Sequence, residues 1–329
     1  MSVSKYKKKL YAAIIDLLWR QWVALGVAGY GSEMRTPYTL DPEALLVFSS
    51  AFCRCEQRLY DLIISWLLRY GALVNTTRLK ALLVKAEYKD LASLAYIAAL
   101  CCRNGDKRWQ RLADNLPDPL SETDLFVGID GCAKGYVRRK DSFALQYGFI
   151  RNEFEKQEKI LRQLPDSHAT LLLRLRGMFG VNARADVILL LLGRTRNLQE
   201  LSEASGFVRG TVREILNELE LVNLVNRVSG HSDKGTFYSL DASSQMMKGH
   251  DEKTVLYPRW SSFYDSLGLL WQSVSSPLLA SLSEETFHGE LGLLFRESLK
   301  QLWFRSGVEL FENLPEKAIS EIPERLTLL

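Results

Sequence analysis

Strong charge of either sign is missing from this 329-residue sequence: 42 lysines and arginines against 39 acids leave a formal net charge of only +3. A globally basic, nucleic-acid-coating protein is thereby excluded, and any phosphate-binding surface must be a local patch. Long apolar runs are missing as well. No stretch approaches the roughly twenty apolar residues that span a bilayer. The apolar segment after the basic Met1–Lys9 is amphipathic and broken by Asp16 and Arg20, so no secretory signal is expected there. Cysteine is scarce and unpatterned: Cys53, Cys55, Cys101, Cys102 and Cys132 are an odd five without paired CxxC spacing. That argues against a disulfide framework or a structural zinc site and fits a reducing cytoplasm. Cys53-x-Cys55 and Cys101-Cys102 lie in apolar helical contexts and read as small core residues. Histidine is scarce too. His168, His231, His250 and His288 form no metal-spaced pair and have no visible nucleophile or carboxylate partner. No metal, cofactor or convergent catalytic cluster is expected, and the chain does not read as an enzyme. Internal repeats and low-complexity tracts are also missing.

What is present is an ordinary globular balance, 47% hydrophobic and 25% charged residues, at a length that suggests two or three domains. Helical signals fill residues 1–115. Leu10, Ile14, Leu17, Gln21 and Leu25 share one stripe, with Gly26 placed to end the helix. After a polar, Gly-rich loop, Asp41-Pro42-Glu43 supplies an N-cap, a proline at the first helical position and a first-turn acid. Further helices are expected over Gln57–Tyr70, Thr76–Tyr88 and Leu91–Arg103. Residues 116–181 read as a linker, with two prolines in Leu116–Leu120, and a helical connection over Ala169–Phe179. Residues 252–329 read as a helical C-terminal domain. There Trp260, Phe263, Tyr264, Leu267 and Trp271 recur at helical spacing, and Ser281 with Glu284 resembles a capping box opening a helix to about Ser306. The fold class expected is mainly α.

The clearest pattern lies at residues 182–240. Asn182 is placed to cap a helix over Ala183–Leu192, whose Val187–Leu192 run is apolar throughout. Asn197 with Glu200 three residues on starts a short helix, Leu198–Ser205. Gly206 stands where a tight turn needs positive φ, and Phe207 plugs the angle before a third helix, Val208–Glu220. Val212, Ile215, Leu216 and Leu219 commit one face of that helix to a core. Leu221–Val228 and Thr236–Leu240 are β-prone and flank the polar turn Ser229–Gly235, which reads as a hairpin.

Three helices and a hairpin in this order resemble the winged helix-turn-helix domain of bacterial and archaeal transcription regulators of the MarR and ArsR kinds. The resemblance covers under a fifth of the chain. Ser202 stands where such domains often carry alanine. The flanking helices resemble no family of stated function. The resemblance implies that Val208–Glu220 is a recognition helix lying in the major groove of double-stranded DNA. The residues agree with that. Opposite the buried stripe lie Gly210, Arg213, Glu214 and Asn217, with Arg209 and Thr211 at the helix start. Arginine pairs in fork geometry with guanine, and asparagine with adenine. His231, Ser232 and Lys234 are offered by the wing, and Arg194 and Arg196 precede the second helix. The acids Glu203, Glu214 and Glu218 count in the other direction.

The expected function is sequence-specific DNA binding by a cytoplasmic homodimer, a transcriptional repressor. The alternative is a protein-interaction adaptor, of an antitoxin or defence-associated kind. The C-terminal aromatic stripe is the slightly favoured dimer interface, with Trp19 and Trp22 of the first helix as the rival. Two weaker signals complete the reading. Phe126–Tyr136, with Asp130 after an apolar run, superficially resembles the first strand of ribonuclease-H-like nucleases, but it lacks strand-borne carboxylate partners and reads as a Gly-rich connection. The Lys5–Lys9 cluster reads as a solvated helix start.

If the wing contacts phosphate, Lys234→Ala lowers affinity similarly for all duplex sequences. The slope of log affinity against log salt should shrink by about one unit, and an unchanged slope would remove the wing from the interface.

Overall fold

The computed structural model describes residues 2–29, 37–114, 121–229, 236–241, 255–280 and 282–329. In chain order it begins with helices α1 (Val3–Ala24), α2 (Pro42–Phe52), α3 (Gln57–Tyr70), α4 (Thr76–Lys85) and α5 (Leu91–Arg103). The short α6 (Gln110–Ala113) and α7 (Ser142–Leu145) follow, α7 lying between strands β1 (Thr123–Asp124) and β2 (Phe149–Ile150). Next come α8 (Leu171–Phe179), α9 (Ala183–Gly193), β3 (Arg196–Asn197), α10 (Leu198–Ser205), α11 (Arg209–Leu221), β4 (Val225–Ser229) and β5 (Thr236–Leu240). The last part holds α12 (Trp260–Ser275), α13 (Pro277–Ala280), α14 (Glu284–Leu294), α15 (Lys300–Ser306), α16 (Glu309–Glu312) and α17 (Ile322–Leu328). The chain is mainly helical. Among the described residues, no helix is long and apolar enough to cross a membrane.

Chain contacts divide it into two compact units, residues 1–34, 42–163 and 259–329 in one and residues 35–41 and 164–258 in the other. In the larger unit, the helices that precede and follow the central segment share one core. The apolar stripe of α1 is fully buried at Leu10, Ile14, Leu17, Gln21 and Leu25. Tyr6 Oη donates to the Ile319 carbonyl at 2.9 Å and Tyr264 Oη to Gln21 Oε1 at 3.0 Å, which fixes α1 against the C-terminal helices. Glu43, buried in the first turn of α2, accepts from the Asn75 N–H at 2.8 Å and from Arg78 Nη1 at 2.7 Å, so one carboxylate joins the starts of α2 and α4. A single burial pattern thus ties both ends of the sequence together.

That packing corrects the favoured dimer surface. Trp260, Phe263, Tyr264 and Leu267 are 0–3% exposed inside this unit. Tyr264 stacks on Phe48 at 5.1 Å, and Trp303 Nε1 donates to Ser266 Oγ at 2.6 Å. Because Ser266 and Gly268 on the helix's other sides are buried too, α12 is surrounded rather than one-faced, and four of the five stripe residues are core, the fifth, Trp271, being half-buried against Tyr11 and Phe52. Trp22 is likewise buried, donating Nε1 to Ser49 Oγ at 2.9 Å.

Two further boundaries differ from expectation. The helix predicted to reach Tyr88 ends at Lys85, where Ala86 turns extended. The following loop docks on α12: Asp265 accepts from the Glu87 N–H at 3.2 Å, and Gly268 leaves no room for a Cβ, which would sit 2.2 Å from Tyr88 Cβ. The cap of α14 is Ser283, whose Oγ accepts from the Thr286 N–H at 3.3 Å, whereas Ser281 lies outside the described residues. Phe126–Tyr136 is not a continuous strand. Val127 bridges Ala133 across a tight loop in which the Asp130 carboxylate accepts from the Cys132 N–H, which holds its pKa below the usual carboxylate value.

The smaller unit is built on α9. Every residue from Val187 to Leu192 is buried, with α8, α10, α11 and β5 packed around them. In its first turn Asp186 faces Arg176 of α8, Nη2 to Oδ1 at 3.4 Å, with both side chains buried. A three-stranded antiparallel sheet of order β3-β5-β4 closes the unit, with Arg196 opposite Tyr238 and Arg227 opposite the same Tyr238 on the other edge. The predicted strand from Leu221 starts only at Val225. Leu221 ends α11, and Asn223 takes positive φ (55°), a conformation that asparagine tolerates, to turn the chain into β4.

Burial and the nearby Glu87 push the Asp265 pKa up to about 6. The unfolded value is about 3.9, so the folded state holds this proton more tightly. The stability contributed by protonated Asp265 is present below about pH 4 and is lost as pH rises through about 6. Asp265→Asn, which still accepts from the Glu87 N–H, is therefore expected to raise the thermal midpoint at pH 7 and to flatten its pH dependence. Thermal denaturation from pH 4 to pH 8, bracketing those values, checks this. Midpoints parallel to the wild type at every pH would show that folding does not shift the Asp265 pKa.

Candidate nucleic-acid interface

The smaller unit's first helices form as their caps dictate. Asn182 Oδ1 accepts from the Arg184 N–H at 2.9 Å at the head of α9. Asn197 and Glu200 make a reciprocal capping box on α10, 2.9 and 3.3 Å. Gly206 follows in the left-handed conformation, φ 78°, and reverses the chain into α11. Ser202, the departure noted from sequence, has a place in this turn: its hydroxyl donates to the Phe207 carbonyl at 2.6 Å. Ser205 Oγ accepts from the Phe207 N–H at 3.4 Å. Two hydroxyls thus satisfy the backbone of a turn that Gly206 alone leaves unpaired.

In α11, Val212, Ile215, Leu216 and Leu219 are buried and the opposite side is bare. Arg209, Gly210, Arg213, Glu214, Asn217 and Glu218 are all exposed, and Thr211 is half-buried at the edge. A Cβ on Gly210 would meet nothing within 4 Å, so no packing within the chain requires glycine there. This is a solvent-facing strip of two arginines, two glutamates, an amide and a glycine.

The electrostatics of the strip are set by two cations that sequence reasoning did not place. Arg184 of α9 pairs with Glu218. Arg227 of β4 pairs with Glu220, Nε to Oε1 at 2.6 Å, and its Nη2 donates to Asn217 Oδ1 at 3.2 Å. Glu220 and this hydrogen bonding hold the Arg227 pKa above its ordinary value. Two acids at this end of the helix are thereby matched by neighbouring cations, and Glu214 is left beside Arg213 on the outer face. These exposed pairs add little stability, roughly 0–1 kcal/mol each, but they fix side-chain direction. Asn217 is held by Arg227 and keeps its amide N–H groups to donate. Arg227 was missed because a strand arginine has no sequence spacing to the helix it touches.

Not every expected contact lies on this strip. Arg196 is half-buried, and its Nε donates to the Leu190 carbonyl at 3.1 Å, tying β3 to the end of α9, while Arg194 is exposed. His231, Ser232 and Lys234, the expected wing contacts, lie outside the described residues. Among the described residues, no three His, Cys, Asp or Glu side chains are placed to hold a metal ion. No family model, no curated protein and no solved structure matches the chain.

The two glycines of this region predict substitutions of opposite sign. Gly206→Ala forces a side chain into the left-handed conformation and should cost about 1–2 kcal/mol. Gly210→Ala places a better helix former in open space and should stabilise by up to about 1 kcal/mol. Chemical denaturation of the two variants tests both values, and shifts of the same sign would contradict this backbone geometry.

Proposed function

We propose that residues 182–240 form a winged helix-turn-helix and that the chain binds double-stranded DNA sequence-specifically as a cytoplasmic transcriptional repressor. The observation that carries this reading is the exposed strip of α11. Arg209, Gly210, Arg213 and Asn217 stand clear of the core on one side of a helix whose other side is fully buried. A helix of about 10–12 Å diameter fits the major groove. Gly210 permits close backbone approach, Arg213 supplies a fork for guanine, and Asn217 is positioned by Arg227 to donate to a base edge or phosphate. Matching of Glu218 and Glu220 by Arg184 and Arg227 lowers the acidic repulsion that this surface would otherwise present to phosphate. Glu214 then serves as an acceptor for cytosine N4.

A homodimer belongs to the same proposal, because two-fold symmetry doubles the contact with a palindromic site. With the α12 stripe buried, the interface lies elsewhere on the chain. Sedimentation at micromolar concentration tests it: a free species of 37.5 kDa that binds as one chain per duplex would overturn the dimer.

The adaptor reading is supported by one observation. Leu221 and Val222, adjoining at the C-terminal end of α11, are 83% and 61% exposed, apolar groups more usual of protein contacts than of phosphate contacts.

Two substitutions test the DNA reading. Arg213→Ala should weaken binding to the cognate duplex by about 1–3 kcal/mol and relax base preference at one position. Gly210→Ala should weaken binding while leaving the free protein at least as stable. Unchanged affinity in both variants, with a co-purifying protein partner, would favour the adaptor.

A further inference from the structure

The larger unit contains a cleft of about 440 Å3 beside the first turn of α3, lined among others by Glu56, Arg58, Asp61, Phe126, Lys134 and Gln157. Its volume falls within the roughly 300–1,000 Å3 typical of small-molecule sites. Its lining is mixed in a specific way: two carboxylates, two cations, the amides of Gln57 and Gln157, and one aromatic ring. The loop that closes it, Phe126–Gly135, is the segment whose glycines and aspartate stood out in the sequence without a role in DNA binding.

The cations are held by neutral groups. Lys134 Nζ donates to the Cys55 carbonyl at 2.8 Å, and the Arg58 guanidinium lies 5.5 Å over the Trp19 ring. Both heads keep further N–H donors. Asp61, only 14% exposed, is braced from behind by Arg151, Nη2 to Oδ1 at 2.9 Å. Arg151 itself is 2% exposed and sits between the rings of Tyr96, Phe126 and Phe154, 5.3–5.8 Å away. Among the described residues, neither its Nη1 nor Asp61 Oδ1 has a hydrogen-bond partner, so the contact of Arg151 with Asp61 is an ion pair. An ion pair buried at this depth stabilises a fold no better than well-packed apolar residues would. What it does accomplish is to hold a carboxylate in the lining of a cleft. Burial raises the Asp61 pKa and Arg151 opposes that rise.

We propose that this cleft binds a small zwitterion, a free α-amino acid, with its ammonium group against Glu56 and Asp61 and its carboxylate against Arg58 and Lys134. A simple anion would meet two carboxylates, and a simple cation would meet two cations. Only a ligand carrying both charges matches both pairs, and Phe126 contributes the apolar part of the lining. The site is a binding site only, and it stands independently of the DNA reading because occupancy is read on the protein itself.

The test is calorimetric titration of the full chain with each proteinogenic α-amino acid. The best binder is then compared with its decarboxylated amine and its deaminated acid. At least one amino acid is expected to bind with a dissociation constant of about 1 mM or tighter, and each single-charge analogue should bind about tenfold more weakly or worse. Lys134→Ala and Glu56→Gln, both at the rim, should each weaken binding by about tenfold without lowering the thermal midpoint of the unliganded protein. Asp61→Asn should do the same where it folds. The proposal is overturned if no amino acid binds at about 10 mM, if an amine or acid alone binds equally well, or if both rim variants bind like the wild type.

Discussion

Burial of α9 on every side is the constraint from which the smaller unit follows. A helix whose run from Val187 to Leu192 is wholly apolar cannot stay at a surface, and α8, α10, α11 and β5 surround it. Leu→Ala within such a run typically costs about 2–5 kcal/mol, more than any surface pair in this unit contributes. The buried Arg176–Asp186 pair sits at the same place, where removing one partner would leave a charge uncompensated. Once α9 is central, each neighbouring element can give it only one face. The other face of α11 is then committed to solvent, or to whatever the protein binds.

The strip on α11 is therefore a consequence of packing, and its chemistry is tuned from outside the helix. Arg184 belongs to α9 and Arg227 to β4, yet together they engage Glu218, Glu220 and Asn217. Such pairs do little for stability when exposed. Their effect is to change which charges and donors the strip presents. The turn is organised by the same economy of means: Gly206 supplies the left-handed residue, and Ser202 and Ser205 satisfy the Phe207 backbone beside it.

Much of this local structure was legible in the sequence, because caps and periodicity act over three or four residues. Asn182, Asn197 with Glu200, Gly206 and the Val212–Leu219 stripe each encode their element within one or two turns. The parts that were not legible depend on distant neighbours. The aromatic stripe of α12 has the same spacing whether it faces a second copy or its own core, and only the approach of Phe48 and Trp303 decides for the core. Helix α4 has no stop signal at Lys85; its end is set by Asp265 and Gly268, about 180 residues away. In the same way, no spacing links Arg227 to Asn217 or Arg151 to Asp61, since strand and loop arginines reach their partners through tertiary geometry alone.

The central claim is that the α11 strip reads duplex DNA, and fluorescence anisotropy of the full-length protein tests it most directly. The probe is a duplex from upstream of the protein's own gene, titrated beside a scrambled duplex of equal length over a range of salt. The account predicts binding at least about a thousandfold tighter to the first duplex than to the second, with log affinity falling linearly in log salt. Equal affinity for the two duplexes, or no binding to either at low salt, would contradict it.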